Sequence, residues 1–155
     1  MTPAKAVLLG GLTVAVLDIA DAIIYYGFLG ATPLRIFQSI ALGVLGRAAY
    51  DGGIATALLG AALHCGISLT IVLGFYLAAR RRPALVARPW IAGAIYGVGV
   101  YLVMYLVVLP LSRVGMPRFD RAGTVADEVL IHIFGVGIPA AWFARAAGIR
   151  PVNGS

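Results

Sequence analysis

Four runs of mostly apolar residues, about Ala6 to Leu29, Ile54 to Ala79, Ile91 to Leu111 and Ala126 to Ala144, constrain this chain more than any other feature. A helix needs roughly 20 such residues to cross the hydrocarbon core of a bilayer. Backbone groups in lipid find no water, so each run must satisfy its own hydrogen bonds by coiling. Hydrophobic residues make up 61% of the chain and charged ones 12%, where soluble domains carry about 25% charged. The expected fold is therefore all-α: a polytopic membrane protein in which residues 1–155 form a single transmembrane domain, a four-transmembrane-helix bundle.

The connections refine this layout. Gly30, Thr32 and Pro33 stop the first span, and the stretch LRIFQSIALGVLGRAA from Leu34 to Ala49 is too short and too polar to cross. It carries Arg35, Gln38, Ser39 and Arg47, while Leu34, Phe37, Ala41, Val44 and Ala48 recur at helical spacing. The spacing predicts an interfacial or re-entrant amphipathic helix over about 34–49, between the first and second spans. The first apolar run is longer than the core of a signal peptide and holds two aspartates, so it is read as a retained span.

Orientation follows from lysine and arginine. Lys5, Arg80, Arg81, Arg82, Arg88, Arg145 and Arg150 fall on the side of the amino terminus, and Arg35, Arg47, Arg113, Arg118 and Arg121 on the other. The dense cluster at Arg80 to Arg88 outweighs the scattered set. Both termini are expected in the cytoplasm, with the chain crossing a bacterial inner membrane. The net charge of +6 is interleaved with apolar runs and forms no stripe for a phosphate backbone, which excludes nucleic acid and makes membrane lipids the natural partners.

Ionisable residues inside apolar spans are the candidate site, since an aspartate or a basic group at a helix centre costs roughly 2.5 to 3.5 kcal/mol. Asp18 lies near the middle of the first span with Asp21 one turn beyond it, and His64 lies near the middle of the second. Glu128 and His132 stand four apart on one face of the fourth. In the expected orientation all five collect between the bilayer centre and the outer surface. They suit a shared polar pocket for protons, an ion or a small polar ligand, with Tyr25, Tyr26, Tyr101 and Tyr105 as further donors. The alternative is that each merely fixes helix register by hydrogen bonding.

Two histidines on different spans also admit a haem b with His64 and His132 as axial ligands, in a membrane redox subunit. The same two histidines would serve a metal-binding redox subunit, and otherwise no cofactor is expected. The lone Cys65 excludes an intrachain disulfide and reads as a packing residue. No serine stands in a nucleophile-elbow context, and Ser68 merely follows His64 by one turn, so the chain reads as a non-enzyme. Gly93 and Gly97 form a GxxxG suited to close helix contact within the chain or in a homo-oligomer. Pro139 is expected to kink the fourth span. A weak internal echo pairs GATP with VGMP, and His64 with His132.

With these residues assembled, the chain resembles the YagU-like family of bacterial inner-membrane proteins. The resemblance rests on LDIADAIIYYG, IFQSIALGVLGRAAYDGG, LLGAALHCGIS, VVLPLS and LIHIFGVGIP, and covers most of the chain at the level of layout. It implies a compact four-helix membrane protein with Asp18, Gln38, His64, Pro110 and His132 as positions carried over, and it brings no reaction, substrate or cofactor. The leading expectation is a membrane protein handling protons or a small solute through Asp18, Asp21, His64, Glu128, His132 and Gln38. A structural subunit of a larger membrane complex is the third reading.

Overall fold

The structure, a computed structural model, describes residues 1–149; Arg150, counted above for orientation, lies outside the described residues. Helix α1 spans Pro3–Phe28, α2 Pro33–Leu45, α3 Gly53–Arg81, α4 Pro89–Leu111 and α5 Ala122–Ala146. Short 3-10 turns at Gly46–Tyr50 and Pro83–Val86 follow α2 and α3. No strand occurs among the described residues. Helices α1, α3, α4 and α5, with 26, 29, 23 and 25 residues, are long and apolar enough to cross a membrane.

Local chemistry sets the boundaries. Both α1 and α2 begin with Thr-Pro: the hydroxyl of Thr2 accepts from the Lys5 amide and that of Thr32 from the Arg35 amide, while the following proline fills the first helical position without wasting a donor. Gly30 takes φ +91° and turns the chain between α1 and α2. Helix α2 stops at Leu45, short of the Ala49 expected from its periodicity, because Gly46 adopts φ +66°. Two prolines leave a further mark. Each of α4 and α5 widens into a π-helical segment, Met104–Val108 and His132–Gly137, that ends two residues before Pro110 and Pro139. Proline lacks an amide donor and its ring clashes with the carbonyl four residues back, so a locally wider turn relieves both problems without ending the helix.

Packing is inside-out relative to a water-soluble protein. Leu8, Leu12, Val16, Ile24, Leu58, Leu77, Ile95, Leu102, Leu106 and Phe134 are exposed, and the helix contacts are made largely by small residues, as expected where lipid is the solvent. Gly10 and Gly11 of α1 meet Phe143, Val72 and Leu69, so α1 runs antiparallel to both α3 and α5. At the second crossing a Cβ on Gly97 would collide with the His132 carbonyl, and one on Gly137 with the Gly93 carbonyl. The third crossing sets Gly60 of α3 against the Phe37 backbone of α2.

These contacts place both ends of the described chain and the α3–α4 turn at one end of the molecule, the base. There Val14, Val72, Phe75, Val136, Ala79, Ala140, Ala141 and Ala144 form a close-packed core. Trp90 and Trp142 stack edge to face at 5.6 Å, and the Arg145 guanidinium lies 5.5 Å from the Trp142 ring, a tryptophan and arginine pairing that suits a membrane–water boundary.

The crossing of α4 and α5 gives a direct test. Gly97→Leu should destabilise the protein by about 1–3 kcal/mol or more, because backbone must move to admit the side chain. Gly99→Leu is expected to leave thermal unfolding in detergent at the wild-type temperature, since a Cβ there meets nothing within 4 Å.

Candidate functional site

Above the base the helices part. From Gly10 to Ala15, α1 lies on α3, but near its end Tyr25 Oη hydrogen-bonds with Thr124 Oγ1 at 2.9 Å and Tyr26 Oη donates to Glu128 Oε1 at 2.7 Å, so that end of α1 is held to α5. On the other side α2 crosses the first turns of α3. The Gln38 amide donates to the Gly53 carbonyl at 3.1 Å and to Thr56 Oγ1 at 3.4 Å, and Thr56 donates to the Ala49 carbonyl at 2.6 Å, which joins α2, its trailing turn and α3. The space between is a cavity of about 850 Å³.

Its wall has a repeating plan. Helix α1 contributes Val14, Asp18, Ala22 and Tyr26, and α5 contributes Thr124, Glu128, His132 and Val136. Each series steps by four residues, or about 6 Å of rise, along one helix face. His64 and Ser68 of α3 complete the deep end, and Arg35, Tyr50 and Arg118 line the end away from the base. A column of polar groups thus runs from the mouth to the centre of the spans: Thr124, then Glu128 with Tyr26, then His132, then Asp18 with His64. Below it, past Ser68, lies the mostly apolar core.

The deepest pair is the most informative. His64, 9% exposed, places Nε2 at 2.9 Å from the Ala15 carbonyl. A carbonyl oxygen only accepts, so Nε2 carries a proton. The other ring nitrogen, Nδ1, stands 3.9 Å from Asp18 Oδ2. At that distance the two groups face each other without a direct hydrogen bond, and a single water can bridge them. His132 is held differently. Its Nδ1 lies 2.7 Å from the Glu128 carbonyl and must donate, which leaves Nε2 for the cavity.

The structure brings together Asp18, His64, Glu128 and His132, and sets the other two candidates elsewhere. Asp21 turns from the cavity toward Asp127 of α5. Gln38, 1% exposed, is consumed in tying α2 to α3. Thr124, Arg35 and Arg118 were not among the sequence candidates. The Glu128 and His132 spacing extended one step back would have marked Thr124; the two arginines carry no such signal, since their place depends on how the connections fold. Cys65, beside His64 in sequence, is partly exposed and does not line the cavity.

The donor set can also be held against a bis-histidine haem. Axial ligation uses a ring nitrogen from each histidine with its lone pair directed at iron. His64 has Nε2 bonded to Ala15 and Nδ1 against Asp18, so no lone pair is presented without breaking one of these contacts. The pair does not fit that group. Among the described residues no cluster of three or more His, Cys, Asp or Glu could hold a metal ion.

No family model, curated protein or solved structure matches the chain.

The hydrogen bonds predict opposite tautomers for the two neutral histidines. In ¹⁵N-histidine NMR of the detergent-solubilised protein, assigned with His132→Ala, His64 should carry its proton on Nε2 and His132 on Nδ1. A proton found only on Nδ1 of His64 would contradict the contact with Ala15.

Proposed function

We propose that this is a multi-pass protein of a bacterial inner membrane, with both termini cytoplasmic, that takes up a solute bearing a polar group together with a proton from the outer face. The observation that carries this reading is the Asp18 and His64 pair, 3.9 Å apart at the blind end of a polar column inside membrane-spanning helices. A pair placed there only to fix register would gain nothing from the further polar groups that line the same cavity between it and the mouth. Thr124, Glu128, Tyr26 and His132 supply that line, and each can accept or donate a proton at the end of its side chain.

Orientation rests on basic residues: the base carries Arg80, Arg81, Arg82, Arg88 and Arg145 at helix ends. In this arrangement the four spans form a bundle and α2 sits at the outer interface beside the cavity mouth. Its exposed Leu34 and Val44 would meet lipid, while Ile36, Gln38 and Ala41 pack inward. The layout is also the one that the resemblance to the YagU-like family implies. A close-packed base means that release inward requires the small-residue contacts of the core to part, as in alternating access.

Proteoliposomes loaded with a pH-sensitive dye test the reading. An imposed pH gradient should collapse faster with wild-type protein than in empty vesicles, and both Asp18→Asn and His64→Ala should fall to the empty-vesicle rate while eluting as folded protein. Asp21→Asn, outside the cavity, is expected to retain the wild-type rate. Wild-type flux in both cavity variants would sink the proposed site. Protein made with ample haem is expected to show no Soret band, because an axial bond from His64 would require giving up its contact with Ala15 or with Asp18.

A further inference from the structure

A second space lies beside the first. Between α3 and α4, from Leu59 to Ile71 and from Tyr96 to Val108, the helices leave an apolar groove of about 910 Å³. Gly66 and Gly99 line it, and a Cβ on either would meet nothing within 4 Å. Leu63, Ile67, Ile71, Met104 and Val108 line both the groove and the polar cavity, so the two spaces adjoin along these side chains. Two of them, Met104 and Val108, belong to the π-helical segment of α4, where the regular helical bonding is already relaxed.

Charge at the mouth supplies the second observation. Arg35 and Arg118 line the cavity, and the only ion pair among the described residues is that of His64 with Asp18. Neither guanidinium therefore has a carboxylate partner; Arg35 lies 4.1 Å from the centre of the Tyr50 ring. Glu128 is bonded by Tyr26 and Asp18 faces His64, so the acids of the cavity are engaged while the two cations are not.

Resting on the uptake reading above, we infer that the natural ligand is an amphiphile of the outer leaflet with a phosphate-bearing head, held with the head at Arg35 and Arg118 and the hydrocarbon chain in the groove between α3 and α4. A water-soluble solute would use only the cavity and leave the adjoining apolar groove without a purpose. An amphiphile uses both and can enter sideways from the membrane. Guanidinium groups bind phosphate through paired, charge-assisted hydrogen bonds, and burying a chain against Gly66 and Gly99 needs no side chain to move.

Native mass spectrometry of the detergent-solubilised protein tests this with dioleoyl phosphatidylglycerol, dioleoyl phosphatidylcholine and inorganic phosphate as probes. Phosphatidylglycerol should bind one to one and more tightly than phosphatidylcholine, and inorganic phosphate should not displace it. The Arg35→Gln, Arg118→Gln double variant should bind it about tenfold more weakly or worse, the scale of losing charged hydrogen bonds. Gly66→Leu and Gly99→Leu, which fill the groove without a clash, should do the same.

Equal binding of the two lipids, unchanged binding in the groove variants, or displacement by inorganic phosphate would overturn the inference. So would dissociation of a dimer by Gly99→Leu with lipid binding intact, which would give the groove to a second copy of the chain. The pH-gradient assay on Asp18→Asn is independent of these outcomes. If lipid binding fails while that variant still loses flux, only the ligand assignment falls; lipid binding with unaltered flux removes the proton reading instead.

Discussion

The approach of α4 to α5 at Gly93, Gly97 and Gly137 is the contact on which the remaining architecture depends. Lipid gives helices little hydrophobic reason to associate, so they must gain from direct packing, and packing is closest where no Cβ intervenes. At this crossing the Gly97 backbone faces the His132 carbonyl and the Gly93 carbonyl faces Gly137. The same contact fixes the rotation of α5. With Gly135 and Val136 turned inward, the face carrying His132, Glu128 and Thr124 opens onto the space beside α1.

Proline explains why such a contact coincides with a site. An unbroken α-helix would carry its face along at a constant angle, whereas the π-helical segment His132–Gly137 inserts an extra residue's worth of turn just before Pro139. The segment puts three small or slender residues, Gly135, Val136 and Gly137, into the packed interior and leaves His132 at its edge, where the ring can fold back on the Glu128 carbonyl. The wall above, from Tyr101 and Tyr105, stacks against the same ring at 5.6 and 6.2 Å. Aromatic packing on one side and a hydrogen bond on the other hold the imidazole in one orientation.

Much of this was legible in the sequence. The four spans follow from solvent physics, because an apolar run of sufficient length has one way to satisfy its backbone in lipid, and the observed helix ends fall within four residues of the expected bounds. Asp18 and His64 stood out for the same reason, as costly groups that demand a partner. What escaped was whatever depends on rotation about a helix axis. Asp21 is one turn from Asp18, yet three residues leave a helix about 60° short of a full circle, enough to aim it at Asp127 instead of the cavity. Gln38 entered as a position carried over by the family resemblance, but its role with Gly53 and Thr56 requires knowing which turns α2 crosses. The π-helical segments have no composition of their own; Pro110 and Pro139 announce a disturbance without saying whether the helix kinks or widens.

The asymmetry between the two halves of the molecule then follows from residue size. Toward the base the facing residues are mostly glycine, alanine and valine, with Phe75 and Tyr76 of α3 filling the space between them, so the backbones draw together and nothing the size of a solute fits between them. Toward the other end the facing residues are tyrosine, histidine, aspartate, glutamate and arginine, which hold the helices apart and must be hydrated or paired. Swapping these sets would be unstable in either direction: large polar groups in the base would lack partners, and small apolar groups at the mouth would let α1 collapse onto α3. A polar column that ends at His64 is therefore enforced by the packing below it. The Asp18 and His64 pair sits where the chain changes from one regime to the other, open upward to the cavity and closed from beneath by Val14, Val72 and Val136.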